Sequence, residues 1–358
     1  MDVFEFREKL VGEYSQFTRS FTRIKSEDIA SFVAAAYQSQ RYWPAPLVQV
    51  NPNFKTGHSV EELVVAGSLH TECARIFRGG KSPTSAGVSL RLFKHQQEAI
   101  SFAQTGASYV LTTGTGSGKS LAYFIPIIDA ILKAKVADPA PRTRAIVIYP
   151  MNALANSQLE ELDKFLHGYD SGHEPFSVRR YTGQERGDER KAIADNPPDI
   201  LLTNFMMLEL ILTRFEDIDR RVVDHCRGLE FLVLDELHTY RGRQGADVAM
   251  LVRRIRERLQ TESLVCIGTS ATMSSADRED DRNQTVAEVA SLLFGTRITA
   301  LDVIGETLER VTNPARDIAA VKPLLKAAIT QPTHAWPSFD AFKDDPLAIW
   351  VELNLGID

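Results

Sequence analysis

Two adjacent acidic residues follow a short run of apolar residues in FLVLDELH, residues 231–238. Asp235 and Glu236 come directly after the apolar run, and His238 stands two positions beyond Glu236. The carboxyl end of a strand in a parallel sheet faces the crevice where ligands bind. Carboxylates at that end can bind a divalent cation or activate a water molecule. An isolated acidic pair is more often a solvated strand end, so its chemistry depends on what the rest of the chain supplies.

A phosphate-binding loop is indicated by TGTGSGKS, which follows the apolar run SYVLTT and opens a helical pattern. Glycines let backbone amides close around an anion at a helix N-terminus, and the Lys119 side chain adds a positive charge for the β- and γ-phosphates. The GxxxxGK[ST] pattern has one departure, since Thr113 replaces its first glycine. A glycine-rich turn without a ligand would not need the flanking strand and helix. The predicted nucleotide-binding residues are Thr113, Gly114, Thr115, Gly116, Ser117, Gly118, Lys119 and Ser120.

This loop gives the two acids separate roles, with a nucleotide and Mg²⁺ as the expected ligands. Asp235 is expected to hold Mg²⁺ together with the Ser120 hydroxyl. Glu236 is expected to orient and deprotonate the attacking water, so the predicted catalytic residues are Glu236, Lys119 and Asp235. His238 is either a metal ligand or a relay between the nucleotide and neighbouring segments. No HExxH pattern or second ligand pair accompanies it, which favours the relay.

The elements that must position these residues form an alternating series from about residue 90. Apolar runs rich in Val, Ile and Leu predict strands at residues 108–113, 144–150, 199–204, 229–235 and 263–269. Helical patterns separate them, which indicates βαβ units and a mainly parallel sheet buried on both faces. The predicted fold class is therefore α/β.

Three regions are predicted along the chain. Residues 1–88 form a mainly α-helical N-terminal region that ends in the glycine-rich stretch GGKSPTSAG, residues 79–87, which predicts a flexible linker. Residues 89–298 form the α/β lobe, and residues 299–358 form a helical extension. No chemistry is indicated for residues 1–88, which either brace the lobe or dock a partner.

Composition limits the remaining classes of function. The 358 residues carry a net charge of −6, so a nucleic-acid surface would have to be a local patch. Three widely spaced cysteines without a CxxC pattern argue against a disulfide framework or a structural zinc site. No apolar run is long enough to span a membrane, and the N-terminus does not resemble a signal peptide. A cytoplasmic protein without a membrane partner is expected.

The phosphate loop, DELH and SATM (270–273), in this order, resemble the superfamily 2 helicases of the DEAD/DEAH-box type. KHQQEAI (94–100) resembles the family's glutamine motif, in which Gln96 would read adenine. The resemblance covers residues 90–275. It implies a RecA-like P-loop NTPase lobe, the first of two, in which Ser270 and Thr272 couple nucleotide state to strand movement, with His238 as the relay.

Three further stretches, YPMNALANSQ, YTG and TNFMMLE, resemble the family's nucleic-acid-binding motifs. Backbone amides and small hydroxyls at strand ends suit contact with phosphates whatever the base sequence. For each stretch a purely structural role stays open, because asparagines also cap helices and Thr-Gly also forms tight turns. The residues that the resemblance implies for nucleic-acid contact are Pro150, Met151, Asn152, Arg180, Thr182, Gly183, Thr203 and Asn204.

The tetrapeptide DELH departs from DEAD and DEAH, and DELHTYRG resembles a branch of DNA helicases. The flanking segments resemble very large bacterial helicases, some of them in anti-phage defence loci. The expected partners are therefore nucleic acid, DNA in the first place, a second RecA-like lobe of the same protein, and other defence-system proteins. Residues 273–358 are too few for a second lobe and lack its QxxGRxGR-like arginine motif. The chain is thus expected to be the N-terminal part of a longer protein and to hydrolyse ATP poorly alone.

Two other functions stay open at this point. One is a nucleotide-gated nucleic-acid-binding module without productive turnover, although such a module would not need Glu236. The other is an RNA helicase, because these motifs contact the backbone and not the base edges.

Overall fold

The computed structural model describes all residues except 1, 22–23, 40–52, 115, 171, 262, 271–278, 332–334 and 358. The chain forms two compact units, one made of Met1–Asn51 and Val311–Asp358 and the other of Pro52–Arg310. No helix in the described part of the chain is long and apolar enough to cross a membrane. The first unit begins with α1 (Val3–Ser20) and α2 (Glu27–Gln38), and α1 buries none of its side chains.

Residues 53–93 pack on the lobe in the second unit. Their elements are β1 (Thr56–Ser59), α3 (Val60–Val65), α4 (Cys73–Ile76), β2 (Arg78–Gly79), β3 (Val88–Ser89) and β4 (Arg91–Phe93). β1 pairs antiparallel with β4, and β2 with β3. A bridge between Ser82 and Ser85 lies within residues 79–87, so the predicted linker forms a hairpin. The predicted boundaries at residues 88 and 298 stay predictions.

A seven-stranded sheet forms the centre of the second unit. Its strands are β5 (Tyr109–Thr112), β6 (Ala145–Tyr149), β7 (Val178–Tyr181), β8 (Ile200–Asn204), β9 (Phe231–Leu234), β10 (Val265–Thr269) and β11 (Val303–Gly305). Their order is β11-β5-β10-β9-β6-β8-β7, and every neighbouring pair is parallel. The predicted α/β class is confirmed. The five predicted strands lie inside the sheet, and the two edge strands, β7 and β11, are additions to the sequence-based prediction.

Helices cover both faces of this sheet. They are α5 (Lys94–Gln104), α6 (Lys119–Ala137), α7 (Asn152–Leu166), α8 (Gly187–Asp195), α9 (Phe205–Thr213), α10 (Asp217–His225), α11 (Gly242–Arg258) and α12 (Glu279–Phe294). Alternate residues of each inner strand enter two separate cores: Val147 and Tyr149 face one, and Ile146 and Ile148 face the other. Burial on both faces explains why the inner strands have continuous apolar sequences.

The first unit also contains short helices from the C-terminal part of the chain. They are α13 (Ile318–Val321), α14 (Leu325–Ile329), α15 (Phe339–Lys343) and α16 (Pro346–Val351), and a π-helical turn, Glu352–Gly356, follows them. The Glu352 carboxylate accepts hydrogen bonds from the backbone N–H groups of Val311 and Thr312, at 2.6 and 2.8 Å. The predicted helical extension, residues 299–358, stays a prediction, since β11 also lies within it.

A buried carboxylate on α6 joins the N-terminal elements to the lobe. Asp129 is 2% exposed, and its carboxylate accepts the backbone N–H of His70 at 2.6 Å. Its second oxygen accepts a hydrogen bond from the Lys133 ammonium group at 2.7 Å. One side chain thus connects the segment between α3 and α4 to the helix that follows the phosphate loop.

Asp129→Ala is expected to lower the free energy of unfolding by about 2–3 kcal/mol, because the buried His70 N–H loses a charged acceptor. Urea denaturation of this chain measures the loss. Glu160→Ala, which removes an exposed carboxylate from α7, is the matched control and should change stability by less than about 0.5 kcal/mol. Equal effects of the two substitutions would contradict the anchoring role.

Candidate nucleotide and nucleic-acid site

The phosphate loop connects β5 to α6 and has the backbone shape that its glycines allow. Gly116 and Gly118 have φ values of +81° and +70°, in the left-handed region that glycine adopts without strain. Thr113 is buried, and its hydroxyl lies 2.6 Å from that of Ser117. The two hydroxyls thus meet across the loop, and one of them belongs to the residue that replaces the first glycine of the GxxxxGK[ST] pattern. Thr115 lies outside the described residues.

Gln96 braces the loop from the first turn of α5. Its Nε2 donates to the Gly118 carbonyl at 2.9 Å, and its Oε1 accepts the N–H of Phe93 at 2.9 Å. A Cβ on Gly118 would lie only 2.5 Å from that Nε2, so the close approach requires glycine. Gln96 is only 2% exposed. Adenine reading by Gln96 stays a prediction, and it requires the side chain to turn outward.

His95 is a second brace, which sequence reasoning missed although it precedes Gln96 directly. Its Nε2 lies 2.9 Å from the Ser117 carbonyl, which only accepts, so this nitrogen carries the proton. Burial lowers the pKa of His95, which favours the neutral ring. Phe93 stacks on the ring at 5.7 Å between centroids.

The loop also has an anion-binding amide. The backbone N–H of Gly114 donates to a carboxylate oxygen of Glu306 at 2.8 Å. Glu306 directly follows β11, the strand that neighbours β5. The Gly114 N–H thus already pairs with an anionic group. Lys119 Nζ also stays close to the loop, through a 3.2 Å hydrogen bond to the Thr113 carbonyl. The described loop residues therefore fit a phosphate group.

The two acids are held by the neighbouring strand. The Thr269 hydroxyl at the end of β10 donates to Asp235 Oδ1 and accepts the Glu236 N–H at 3.0 Å. Glu236 has φ +54°, a strained backbone for a residue with a side chain, and such strain concentrates at functional sites. A Cβ on Gly268 would lie 2.3 Å from Leu237, so that glycine lets the DELH segment approach the sheet.

Asp235 has the surroundings of a cation ligand. Burial raises the pKa of its carboxyl, and the negative charge of Glu236 acts in the same direction, whereas the Thr269 hydroxyl and the Lys119 ammonium oppose the rise. Burial makes the ionised form of a carboxyl group unfavourable, and a nearby cation stabilises that form. Asp235 and the Ser120 hydroxyl in the first turn of α6 would both offer oxygen, the ligand type that Mg²⁺ prefers.

His238 connects the acids to the residue after β10. Its Nδ1 lies 3.2 Å from Glu236 Oε2 and 3.4 Å from the Ser270 hydroxyl. Glu236 Oε2 makes no hydrogen bond to a described residue. The structure thus brings together two of the three predicted coupling residues, His238 and Ser270. The third, Thr272, lies outside the described residues.

The predicted nucleic-acid residues form a network at the ends of β6, β7 and β8. Asn204 Nδ2 donates to Asn152 Oδ1 at 2.6 Å and to the Thr182 carbonyl at 3.1 Å. Asn204 Oδ1 also accepts the N–H of Met207, so Asn204 caps α9, as its structural alternative predicted. Thr203 is fully buried, and its hydroxyl donates to the Tyr181 carbonyl. That hydroxyl therefore serves the strand end and does not face a ligand.

Glu185 occupies the other predicted strand-contact loop. Its carboxylate accepts the N–H groups of Thr182 and Gly183 at 2.7 and 2.9 Å and pairs with Arg180 at 2.7 Å. Gly183 has φ +88°, the tight turn that the structural alternative predicted. These amides and the guanidinium thus pair with a carboxylate of the same loop.

A cavity of about 320 Å³ lies beside this network. Its walls come from the ends of β6 and β8 and from the segment between DELH and α11. The lining residues are Pro150, Asn152, Asn204, Phe205, Met206, Tyr240 and Gln244. Met151, at the same strand end as Pro150, is 61% exposed. Of the cavity residues, sequence reasoning did not select Phe205, Met206, Tyr240 or Gln244.

The fold and the site together define an α/β nucleotide-binding lobe of the phosphate-loop class, with the acids and the predicted strand loops on the same edge of one sheet. The sequence profile of the DEAD/DEAH box helicases matches residues 93–280, more than half of the chain. The chain therefore belongs to the DEAD/DEAH box helicase family, and the resemblance drawn from its motifs is confirmed.

Two relatives illustrate the range of similarity. The chain is 26% identical to the Druantia protein DruE of Escherichia coli (strain UMEA 4076-1), over 70% of this chain and 19% of DruE. It is 31% identical to the uncharacterized ATP-dependent helicase YprA of Bacillus subtilis (strain 168), over 51% of this chain and 23% of YprA. The chain thus spans less than a quarter of either curated relative.

Two solved structures share the fold. The DUF1998 helicase MrfA bound to DNA matches with a TM-score of 0.54 at 24% identity, over 79% of this chain and 37% of MrfA. The DEAD-box helicase Mss116 bound to ssRNA and UDP-BeF matches with a TM-score of 0.56 at 18% identity, over 80% of this chain and 55% of Mss116. These identities support the RecA-like fold alone, which the sequence predicted.

Gln96→Ala is expected to lower the affinity for GTP about 5- to 10-fold, because the loop loses one buried hydrogen bond. The affinity for ATP should fall further if Gln96 also reads adenine. Titration calorimetry on this chain measures both affinities. Gln97→Ala is the matched control, because Gln97 contacts His58 and not the loop. An unchanged GTP affinity in Gln96→Ala would contradict the brace.

Proposed function

We propose that this chain is the ATP-binding motor lobe of an ATP-dependent DNA helicase or translocase. One observation carries the proposal: the Thr269 hydroxyl joins Asp235 and the backbone of Glu236 at the sheet edge that also bears the phosphate loop and the strand loops. Family membership supports an ATP-dependent reaction. The alternatives are an RNA helicase and a nucleotide-gated binding module.

In this proposal the residues of the phosphate loop and of the DELH segment have different roles in ATP hydrolysis. The loop amides and Lys119 hold the phosphates of ATP. Ser120 and Asp235 hold Mg²⁺, whose charge stabilises the phosphate oxygens when it is bound. Glu236 accepts a proton from the attacking water, and the contact between its carboxylate and His238 orients it. Gln96 and His95 keep the loop in its binding shape.

The strand is proposed to lie across the loops that contain Asn152, Thr182 and Asn204. Backbone amides that already face the Glu185 carboxylate suit the phosphates of a strand. DNA is favoured over RNA by the DELHTYRG resemblance. Ser270 and Thr272 are proposed to transmit nucleotide state to this surface, through the contact between Ser270 and His238.

The remaining partners are proposed from what is typical of the helicase family. A second RecA-like lobe would complete the ATP site and supply arginines, which are worth roughly 10³–10⁵ in rate where they were measured in other NTPases. The lobe alone should therefore bind ATP and hydrolyse it slowly. A role in anti-phage defence, with other defence-system proteins as partners, rests on the resemblance of the flanking segments. The similarity to DruE, which covers more of the chain than the family profile does, adds support.

The test is the ATPase activity of the full-length protein, with and without single-stranded DNA and RNA. DNA is expected to stimulate turnover more than RNA does. Glu236→Gln should lower kcat by about 10²–10⁴ and change ATP affinity little, because it removes the base and keeps the side-chain shape. Lys119→Ala should abolish ATP binding.

The matched control is Glu160→Gln on the exposed surface of α7, which should leave both parameters unchanged. Stronger stimulation by RNA would favour the RNA helicase. Binding of DNA that responds to ATP without any turnover would favour the gated module. Stimulation by neither polymer would contradict the motor function.

A further inference from the structure

The cavity beside the DELH segment has an uncharged lining. Four of its side chains are apolar or aromatic and three are amides. Strand phosphates are bound chiefly by cationic side chains and backbone N–H groups, which lie in the neighbouring Arg180 and Thr182 loop. Aromatic and apolar walls combined with amides are the chemistry that holds an unstacked base. The volume of about 320 Å³ is at the small end of ligand sites and suits one such group.

Tyr240 forms the buried wall of the cavity. Its side chain is 2% exposed, and its hydroxyl is buried without a hydrogen-bond partner among the described residues. Buried polar atoms rarely remain unpaired in proteins. Burial raises the pKa of this phenol, and the charges of Asp235 and Glu236 add to the rise. The hydroxyl therefore keeps its proton, and because it has no accessible surface, the ring and not the hydroxyl lines the cavity.

The amides of the cavity differ in their availability. Asn204 already uses both ends of its amide, with Asn152, Thr182 and Met207 as partners. The side-chain amide of Gln244 is exposed and makes no hydrogen bond to a described residue. Gln244 thus offers one donor and one acceptor, which is the combination that pairs with a base edge.

The mouth of the cavity carries an exposed apolar side chain. Met206 is 70% exposed, next to the half-buried Phe205 in the first turn of α9. We infer that the cavity binds one base of the loaded strand, turned out of the stack. Phe205, Met206 and the Tyr240 ring form its walls, and the Gln244 amide meets the edge of the base. This inference rests on the proposed function, because it names where that strand is held.

The test compares two oligonucleotides of equal length and charge, an oligothymidylate and a fully abasic strand, for binding to the full-length protein. Wild-type protein should bind the oligothymidylate about 10-fold more tightly. Met206→Ala and Gln244→Ala should each reduce that ratio to about 3-fold or less. Met206 and Gln244 are both exposed, so both variants should fold.

Met250→Ala is the matched control, because Met250 is 60% exposed on α11 and does not line the cavity. It should keep the wild-type ratio. A ratio near one in wild-type protein, or an unchanged ratio in both cavity variants, would overturn the base site. If DNA still stimulates ATP hydrolysis in that case, the proposed function stands. If wild-type protein binds neither strand, both proposals fall.

Discussion

The position of the Thr269 hydroxyl depends on the parallel register of two central strands, β9 and β10. Gly268 of β10 pairs with Leu234 of β9, so the next residues, Thr269 and Asp235, lie side by side at the sheet edge. A shift of one residue would turn the hydroxyl to the opposite face of the sheet. Since one oxygen contacts both Asp235 and the backbone of Glu236, the position of both acids follows from this register. The phosphate loop lies on the other side of β10, because β5 is its other neighbour.

The DELH segment extends this constraint towards the surface proposed for the strand. Leu237 packs so closely on Gly268 that only glycine fits, which fixes the segment against the sheet. On one side His238 contacts Glu236 and Ser270, and on the other Tyr240 forms a wall of the cavity. The ATP site and the cavity thus share a single short stretch of chain. A displacement of the acids must move Tyr240 with them, which gives the proposed coupling a physical route.

Much of this arrangement could be predicted from local sequence. Inner strands have continuous apolar runs, and the loop and the acids are short patterns that follow such runs. The edge strands β7 and β11 were missed because VRRY and VIG are short and incompletely buried. The contacts made by Gln96, Glu306, Thr269 and Tyr240 could not be predicted, since each joins residues that meet only through the strand order. The hydrogen bond from the Thr203 hydroxyl to the Tyr181 carbonyl could not be predicted either, and the nucleic-acid contact of Thr203 stays a prediction.

The acids held by Thr269 are proposed to link nucleotide binding to strand binding. The most direct measurement is the affinity of full-length protein for a non-hydrolysable ATP analogue with Mg²⁺, with and without saturating single-stranded DNA. With DNA, the analogue should bind at least about 5-fold more tightly, and the analogue should raise DNA affinity by the same factor. Thr269→Val, which removes the hydroxyl and keeps the shape, should bring that factor close to one. An analogue affinity that is the same with and without DNA would contradict this link. So would a DNA-dependent increase in affinity that is unchanged in Thr269→Val.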